Sequence, residues 1–283
     1  MRWQRGRRSS NVEVRGGRGK RRAIAGGGIG MVALAVVAMF LGVDPRAVMQ
    51  IGGGLTGGGQ QEQSAPSSPE YKEKVDFVSV VLADTEDVWK SIFKSRNARY
   101  QEPKLIVFNG ATQSACGYAD SAAGPFYCPG DYQLYIDLNF YDELKNKFGA
   151  PGDFAQAYVI AHEVGHHVQT LMGISERVQR AKAQSSQAQA NQIQVRMELQ
   201  ADCFSGVWAH HAHRSRKLLE EGDIQEGLTA AAAIGDDTLQ KRARGYVVPE
   251  SFTHGTAQQR QTWFFKGLQT GDMDQCDTFS GAV

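Results

Sequence analysis

Charge is missing from one long stretch of this chain, and acid is nearly missing from the stretch before it. Residues 23–43, AIAGGGIGMVALAVVAMFLGV, hold no Asp, Glu, Lys, Arg or His, and the first 22 residues hold nine Lys/Arg against Glu13 alone. No internal repeat is visible, so repeat architectures drop out. Cysteine is sparse: there are four, and no two of them form a C-x-x-C pair, which argues against a four-cysteine zinc knuckle. Beyond residue 22 the balance is acidic, with 22 Lys/Arg against 29 Asp/Glu. An acidic body argues against nucleic-acid binding by the folded part.

As a helix, the 21 uncharged residues rise about 31 Å, close to the thickness of a bilayer's hydrocarbon core. A buried core helix would not need so dense a cationic flank. A cleaved signal peptide would be shorter in both regions and followed by an A-x-A site, and none follows Val43. The positive-inside rule then makes residues 1–22 a basic cytoplasmic tail, 23–43 a single transmembrane helix and the remainder extracytoplasmic at the cell membrane. Residues 44–70 are dominated by Gly, Ser, Gln and Pro and read as a flexible linker, which leaves 71–283 as the folded domain. An even cysteine count in an exported domain suggests two disulfides, most simply Cys116–Cys128 and Cys203–Cys276, among the three pairings that four cysteines allow.

Within the domain the patterning is mostly helical. Residues 72–95 carry helical periodicity, with Asp84 or Thr85 a plausible cap between two helices. KLIVF (104–108) and YQLYIDL (132–138) read as strands, and Asp137 or Asn139 can cap a following helix. Asp153 opens the helix that carries AHEVGHH; a polar stretch, 179–194, precedes a helix holding MELQADCF; AQQRQTWFFKGLQ (257–269) is the last helix. The stretch 179–194 reads either as a flap over a cleft or as an exposed helix. Many helices and few strands predict an α+β domain, mostly helical with a small β-sheet.

His162, Glu163 and His166 form H-E-x-x-H. On a helix, positions i and i+4 share a face with Cβ atoms about 6 Å apart, which suits two imidazoles for one ion. The flanking Tyr158, Val159, Ile160, Val168 and Leu171 make the helix apolar, and polar groups buried there need partners. A catalytic zinc takes three protein ligands and keeps one open position. Glu198 is the best third ligand, and Asp202, four residues on, can accept the free N–H of a ligand histidine and fix its tautomer. His167 points about 100° from His166 and reads as a packing residue. His210, His211 and His213 read as a solvated helix end beside Arg214 and Arg216.

H-E-x-x-H followed by E-x-x-x-D resembles the gluzincin arrangement of zinc metallopeptidases. ACGYADSAAGPFYCPGDYQLYIDLNFYDEL, FAQAYVIAHEVGHHVQTLMG, RMELQADCFSGVWAHHA and SFTHGTAQQRQTWFFKGLQTGD resemble a narrower family, the bacterial membrane-anchored putative neutral zinc metallopeptidases. The resemblance covers most of residues 71–283. It implies a zincin-like fold, one Zn2+ per chain held by His162, His166 and Glu198, and a peptide or protein substrate. Glu163 would be the general base. YQLYIDL would be the edge strand on which substrate pairs. His254 is the first choice for a second oxyanion donor, ahead of Tyr135 and Tyr246, with local capping as its alternative role. The competing function is an anchored zinc-binding scaffold or chaperone-like binder without activity. The retained Glu163 favours chemistry, because a structural zinc has no use for that carboxylate.

Overall fold

A computed structural model describes residues 1–15, 68–281 and 283. The uncharged run 23–43 and all but the end of the linker 44–70 lie outside the described residues. Among the described residues no helix is long and apolar enough to cross a membrane. The domain starts slightly earlier than the sequence suggests. Helix α1 spans Pro69–Ser95, with Pro69 in its first turn and the Ser68 hydroxyl accepting from the Tyr71 N–H.

The first 15 residues are not a separate tail; they fold with the domain. Strand β1 (Val12–Val14) pairs in parallel with β2 (Lys104–Phe108), Val12 opposite Leu105. Met1 and Trp3 are buried, Trp3 edge-on to Phe77 of α1 with centroids 5.3 Å apart. The pattern of apolar residues in β1 is short, three residues between Asn11 and Arg15, so nothing local marks it as a strand. Pairing with an existing sheet edge is what orders it.

The main sheet has the order β1-β2-β6-β5, where β6 is Gln133–Asp137 and β5 is Phe126–Cys128. β6 runs parallel to β2 and antiparallel to β5. A separate hairpin pairs β3 (Ala111–Ser114) with β4 (Gly117–Asp120). YQLYIDL is therefore an inner strand, and the expectation that it forms the free edge is wrong: β5 takes that place. The difference has a physical cause, since β5 is three residues long, running from a Gly/Pro turn to its own terminal Cys128, too short to show alternation. Cys116 and Cys128 are joined, as are Cys203 and Cys276, which are the pairings expected.

Seven helices follow the sheet strands: α2 (Asn139–Asn146), α3 (Asp153–Leu171), α4 (Ile174–Ala183), α5 (Gln187–Arg216), α6 (Asp223–Ala233), α7 (Asp236–Arg244) and α8 (Ala257–Thr270). The Asp137 carboxylate accepts from the Asn139 N–H at 3.0 Å where α2 begins. The stretch 179–194 is the end of α4 and the start of α5, an ordinary helical pair. Capping boxes at Ser186/Gln189 and Thr256/Gln259 start α5 and α8, and Gly271 ends α8 in the left-handed region. Residues 69–95 form one helix rather than two. Thr85 turns its hydroxyl back to the Leu82 carbonyl, and Asp84 accepts from Trp208 Nε1 at 2.8 Å and Arg216 Nε at 2.6 Å. Asp84 thus serves tertiary contacts and Thr85 bonds within its own helix, and neither is a cap.

One core runs between α1, α3, α5, α8 and the sheet, with Trp89, Trp208, Phe154, Phe204, Phe264 and Tyr158 fully buried. Burying each such side chain contributes about 1.5–3 kcal/mol. Two close helix crossings position everything that follows. A Cβ on Gly165 of α3 would stand 2.9 Å from the Ala201 carbonyl oxygen of α5. A Cβ on Gly267 of α8 would stand 1.9 Å from the Cys203 carbonyl oxygen of α5. Only glycine lets these backbones approach so closely.

Candidate metal centre

Gly165 lies inside H-E-V-G-H, so the closest approach of α3 to α5 falls at the motif itself. There α5 presents Glu198 and Asp202 to the two imidazoles. His162 Nε2 is 3.2 Å and His166 Nε2 is 3.3 Å from the same Glu198 oxygen, Oε2. Donor atoms of His162, His166 and Glu198 all lie within 4.8 Å of one another.

The outer nitrogens of both rings are occupied. His162 Nδ1–H donates to Asp202 Oδ1 at 2.8 Å, and His166 Nδ1–H donates to Gln169 Oε1 at 2.8 Å. Each Nε2 lone pair is thereby left for the space between the helices. Gln169 is fixed in turn by donating to the Met197 carbonyl at 2.7 Å, and Gln194 donates to the second Glu198 oxygen at 2.7 Å. Two neutral imidazoles and a carboxylate converging in this way fit a tetrahedral zinc with one open position.

Burial opposes charge on both imidazoles, but Asp202 and Glu198 outweigh it for His162, which is pushed up to about 10, and Glu198 raises His166 as well. Burial likewise opposes ionisation of Glu198, yet the two histidines hold it well below the ordinary carboxylate range. Without metal the centre is thus an ion-paired cluster in which the His162 proton stands where a cation would. Glu163 behaves in the opposite way. Burial raises it above the ordinary glutamate value, partly offset by His166 and His162. A raised carboxyl beside the His162–His166–Glu198 cluster suits proton transfer.

Several side chains that the sequence reading did not single out complete the site. Arg260 of α8 is 1% exposed and grips Asp202 with two donors, Nε to Oδ2 and Nη2 to Oδ1, each at 2.9 Å. Tyr158 donates its hydroxyl to Asp202 Oδ1 and accepts from Arg260 Nη2 at 3.2 Å. Tyr158, His162, His166 and Gln169 continue one helix face at steps of four, four and three, so the motif's own periodicity could have found Tyr158 and Gln169. Arg260 carried a weaker signal, a cation one turn before the buried Trp263 and Phe264 of its helix.

The cluster lines a cleft of about 540 Å³. Its lining includes the apolar Phe140, Phe148, Val159, Ile234 and Leu239, together with Gln179 of α4 and Gln194 of α5. His254 also lines it, with Nδ1 3.3 Å from Asp236 Oδ1. The Asp236 Oδ2 accepts the backbone N–H groups of Thr253, His254 and Gly255 at 2.7, 2.6 and 3.0 Å, which pins the loop. His254 Nε2 is left for the cleft. Of the rival donors, Tyr135 turns its hydroxyl to Asp131 at 2.7 Å and Tyr246 is 61% exposed beneath Arg244. Neither lines the cleft.

His167 is brought to no metal-binding position. It is buried, donates from Nε2 to the Gln101 carbonyl at 2.6 Å and accepts the Tyr127 hydroxyl at 3.2 Å. Burial drives its pKa down to about 4. His210 and His211 bond the Leu268 and Gly271 carbonyls, and His213 accepts from the Leu219 N–H. The first two join α5 to the end of α8 and the following turn, and His213 ties α5 to the segment that follows it.

Residues 1–279 match the family described as "Putative neutral zinc metallopeptidase". The chain is 48% identical over 294 aligned positions to the uncharacterized protein YpfJ of Escherichia coli K12, covering all of both chains. It is 45% identical over 205 positions to an uncharacterized protein of Mycobacterium tuberculosis H37Rv, covering 69% of this chain and 67% of that one. No solved structure matches it.

Proposed function

From the chain's membership of the putative neutral zinc metallopeptidase family, we propose that it hydrolyses peptide bonds at the His162–His166–Glu198 cluster, with Glu163 as general base. The observation that carries the proposal is the convergence of those three donors within 4.8 Å, beside a glutamate that binds none of their shared space. One zinc ion per chain held there would supply Lewis-acid polarisation and acidify water in the open position.

The protein's own side chains do the rest. Glu163 takes the proton as water attacks the substrate carbonyl and gives it to the departing amine. His254, steadied by Asp236, donates from Nε2 to the oxygen that becomes negative. Asp202 holds His162 in one tautomer, and Arg260 and Tyr158 hold Asp202. The substrate is a peptide or protein segment laid in extended form along β5, the sheet edge beside the cleft. Residues 23–43 would keep the protein at a membrane, and its disulfides suit an extracytoplasmic site of action.

Hydrolysis of an unfolded protein by the full-length chain tests the proposal. A chelator should abolish cleavage and one equivalent of zinc should restore it. Cleavage that survives complete removal of metal would refute a zinc peptidase.

A further inference from the structure

The basic residues at the start of the chain look in sequence like a positive-inside signal. In the structure three of them, Arg2, Arg7 and Arg8, are counter-ions for the acidic body. Arg7 Nη2 lies 2.7 Å from Glu86 and 2.9 Å from Asp87, Arg8 holds both oxygens of Asp76 at 2.8 and 2.5 Å, and Arg2 reaches Glu220 at 3.3 Å.

Glu86 is the centre of this interface. It is 0% exposed, and among the described residues every side-chain hydrogen bond it accepts comes from the first 15 residues: Arg7, Ser9 Oγ at 2.6 Å and Asn11 Nδ2 at 2.8 Å. A carboxylate sealed from water needs such partners, so α1 is built around a segment whose donors lie 75, 77 and 79 residues before Glu86 in sequence. The backbone agrees. Leu105 N–H donates to the Asn11 carbonyl at 2.9 Å and Arg15 N–H to the Val107 carbonyl at 2.8 Å, which makes β1 a rung of the sheet that backs the site. Gly6 lies so flush on α1 that a Cβ there would stand 2.4 Å from Val80 Cγ1.

We propose that residues 1–15 and 68–283 occupy the same compartment, with Arg15 and Ser68 on one side of any membrane the protein meets. The Glu86 socket is the interaction surface, and its partner is the protein's own Arg7–Ser9–Asn11 segment. Hydrogen bonds reach about 3 Å, whereas a bilayer's hydrocarbon core is about 30 Å thick. A single crossing between the two segments would therefore abolish β1 and leave Glu86 buried without partners. The orientation that places the first residues in the cytoplasm and the domain outside is incompatible with this packing.

The full chain tests this directly. Ser10→Cys and Ser95→Cys each add a thiol at an exposed position, one in each segment. Spheroplasts producing either variant are treated with a membrane-impermeant maleimide before and after permeabilisation. The same pattern of labelling above wild-type background is expected for both variants, and labelling of one site while the other stays protected overturns the proposal. In the purified full chain, Asn11→Asp puts a second carboxylate against Glu86 and should lower the thermal midpoint by more than about 3 °C relative to Ser10→Asp. Equal midpoints would also overturn it, because they would show the socket empty.

Discussion

At Asp202 four groups meet with no access to water: the His162 Nδ1–H, the Tyr158 hydroxyl and two donors of Arg260. Replacing Arg260 by lysine keeps the charge and loses the fork, so Asp202 would turn and His162 with it. Zinc affinity should fall about 10- to 100-fold, measured by competition with a chromophoric chelator. The raised values of His162 and His166 bear on metal binding too. His162, pushed up to about 10, holds a proton at neutral pH in the metal-free site, His166 is raised by Glu198, and zinc must displace the protons these rings carry. Calorimetry in buffers of different ionisation enthalpy should record proton release on zinc binding at pH 7, and affinity that weakens as pH falls. A heat independent of buffer would contradict the ion-paired cluster. His254→Ala should lower kcat by about 10²- to 10³-fold with little change in KM, as expected for a donor that acts on developing charge.

Helices α3, α5 and α8 carry nearly all of the chemistry, and glycines set their spacing. Gly267→Ala would force α8 away from the Cys203 carbonyl and draw Arg260 off Asp202. A loss of about 1–3 kcal/mol is expected, read from urea unfolding, accompanied by weaker zinc binding. This is also the scale at which the sequence is partly legible. H-E-x-x-H and E-x-x-x-D can be read because each lies within one helix, where spacing fixes the face. Arg260 and Asp236 cannot, because their partners lie 58 and 18 residues away and only packing brings them together. For the same reason Asp84 and Thr85 look like a helix cap in sequence and prove to be interior to α1. The pattern of β6 marks it as a strand, but its neighbours in the sheet are settled by β1 and β5, which are too short to show periodicity.

Among the described residues, Arg2, Arg7 and Arg8 of the basic head pair with carboxylates of the acidic body. Several of its carboxylates lie below their ordinary range: Asp76 through its hydrogen bonds to Arg8, and Glu102 through Lys90 and Asn11. Groups lowered by folding stabilise the protein above their unfolded values, about pH 4, and that contribution is lost as pH falls through the folded ones. The thermal midpoint should therefore decline below about pH 4, monitored through the buried Trp3. A midpoint unchanged from pH 6 to pH 3 would show that the head contributes nothing. The central claim is that this assembled molecule is a zinc peptidase, and Glu163→Gln tests it most directly. Assayed as full-length, zinc-loaded protein on an unfolded substrate beside wild type, the variant should carry the same one zinc per chain and show no cleavage above background. Equal cleavage by the two proteins would contradict the account.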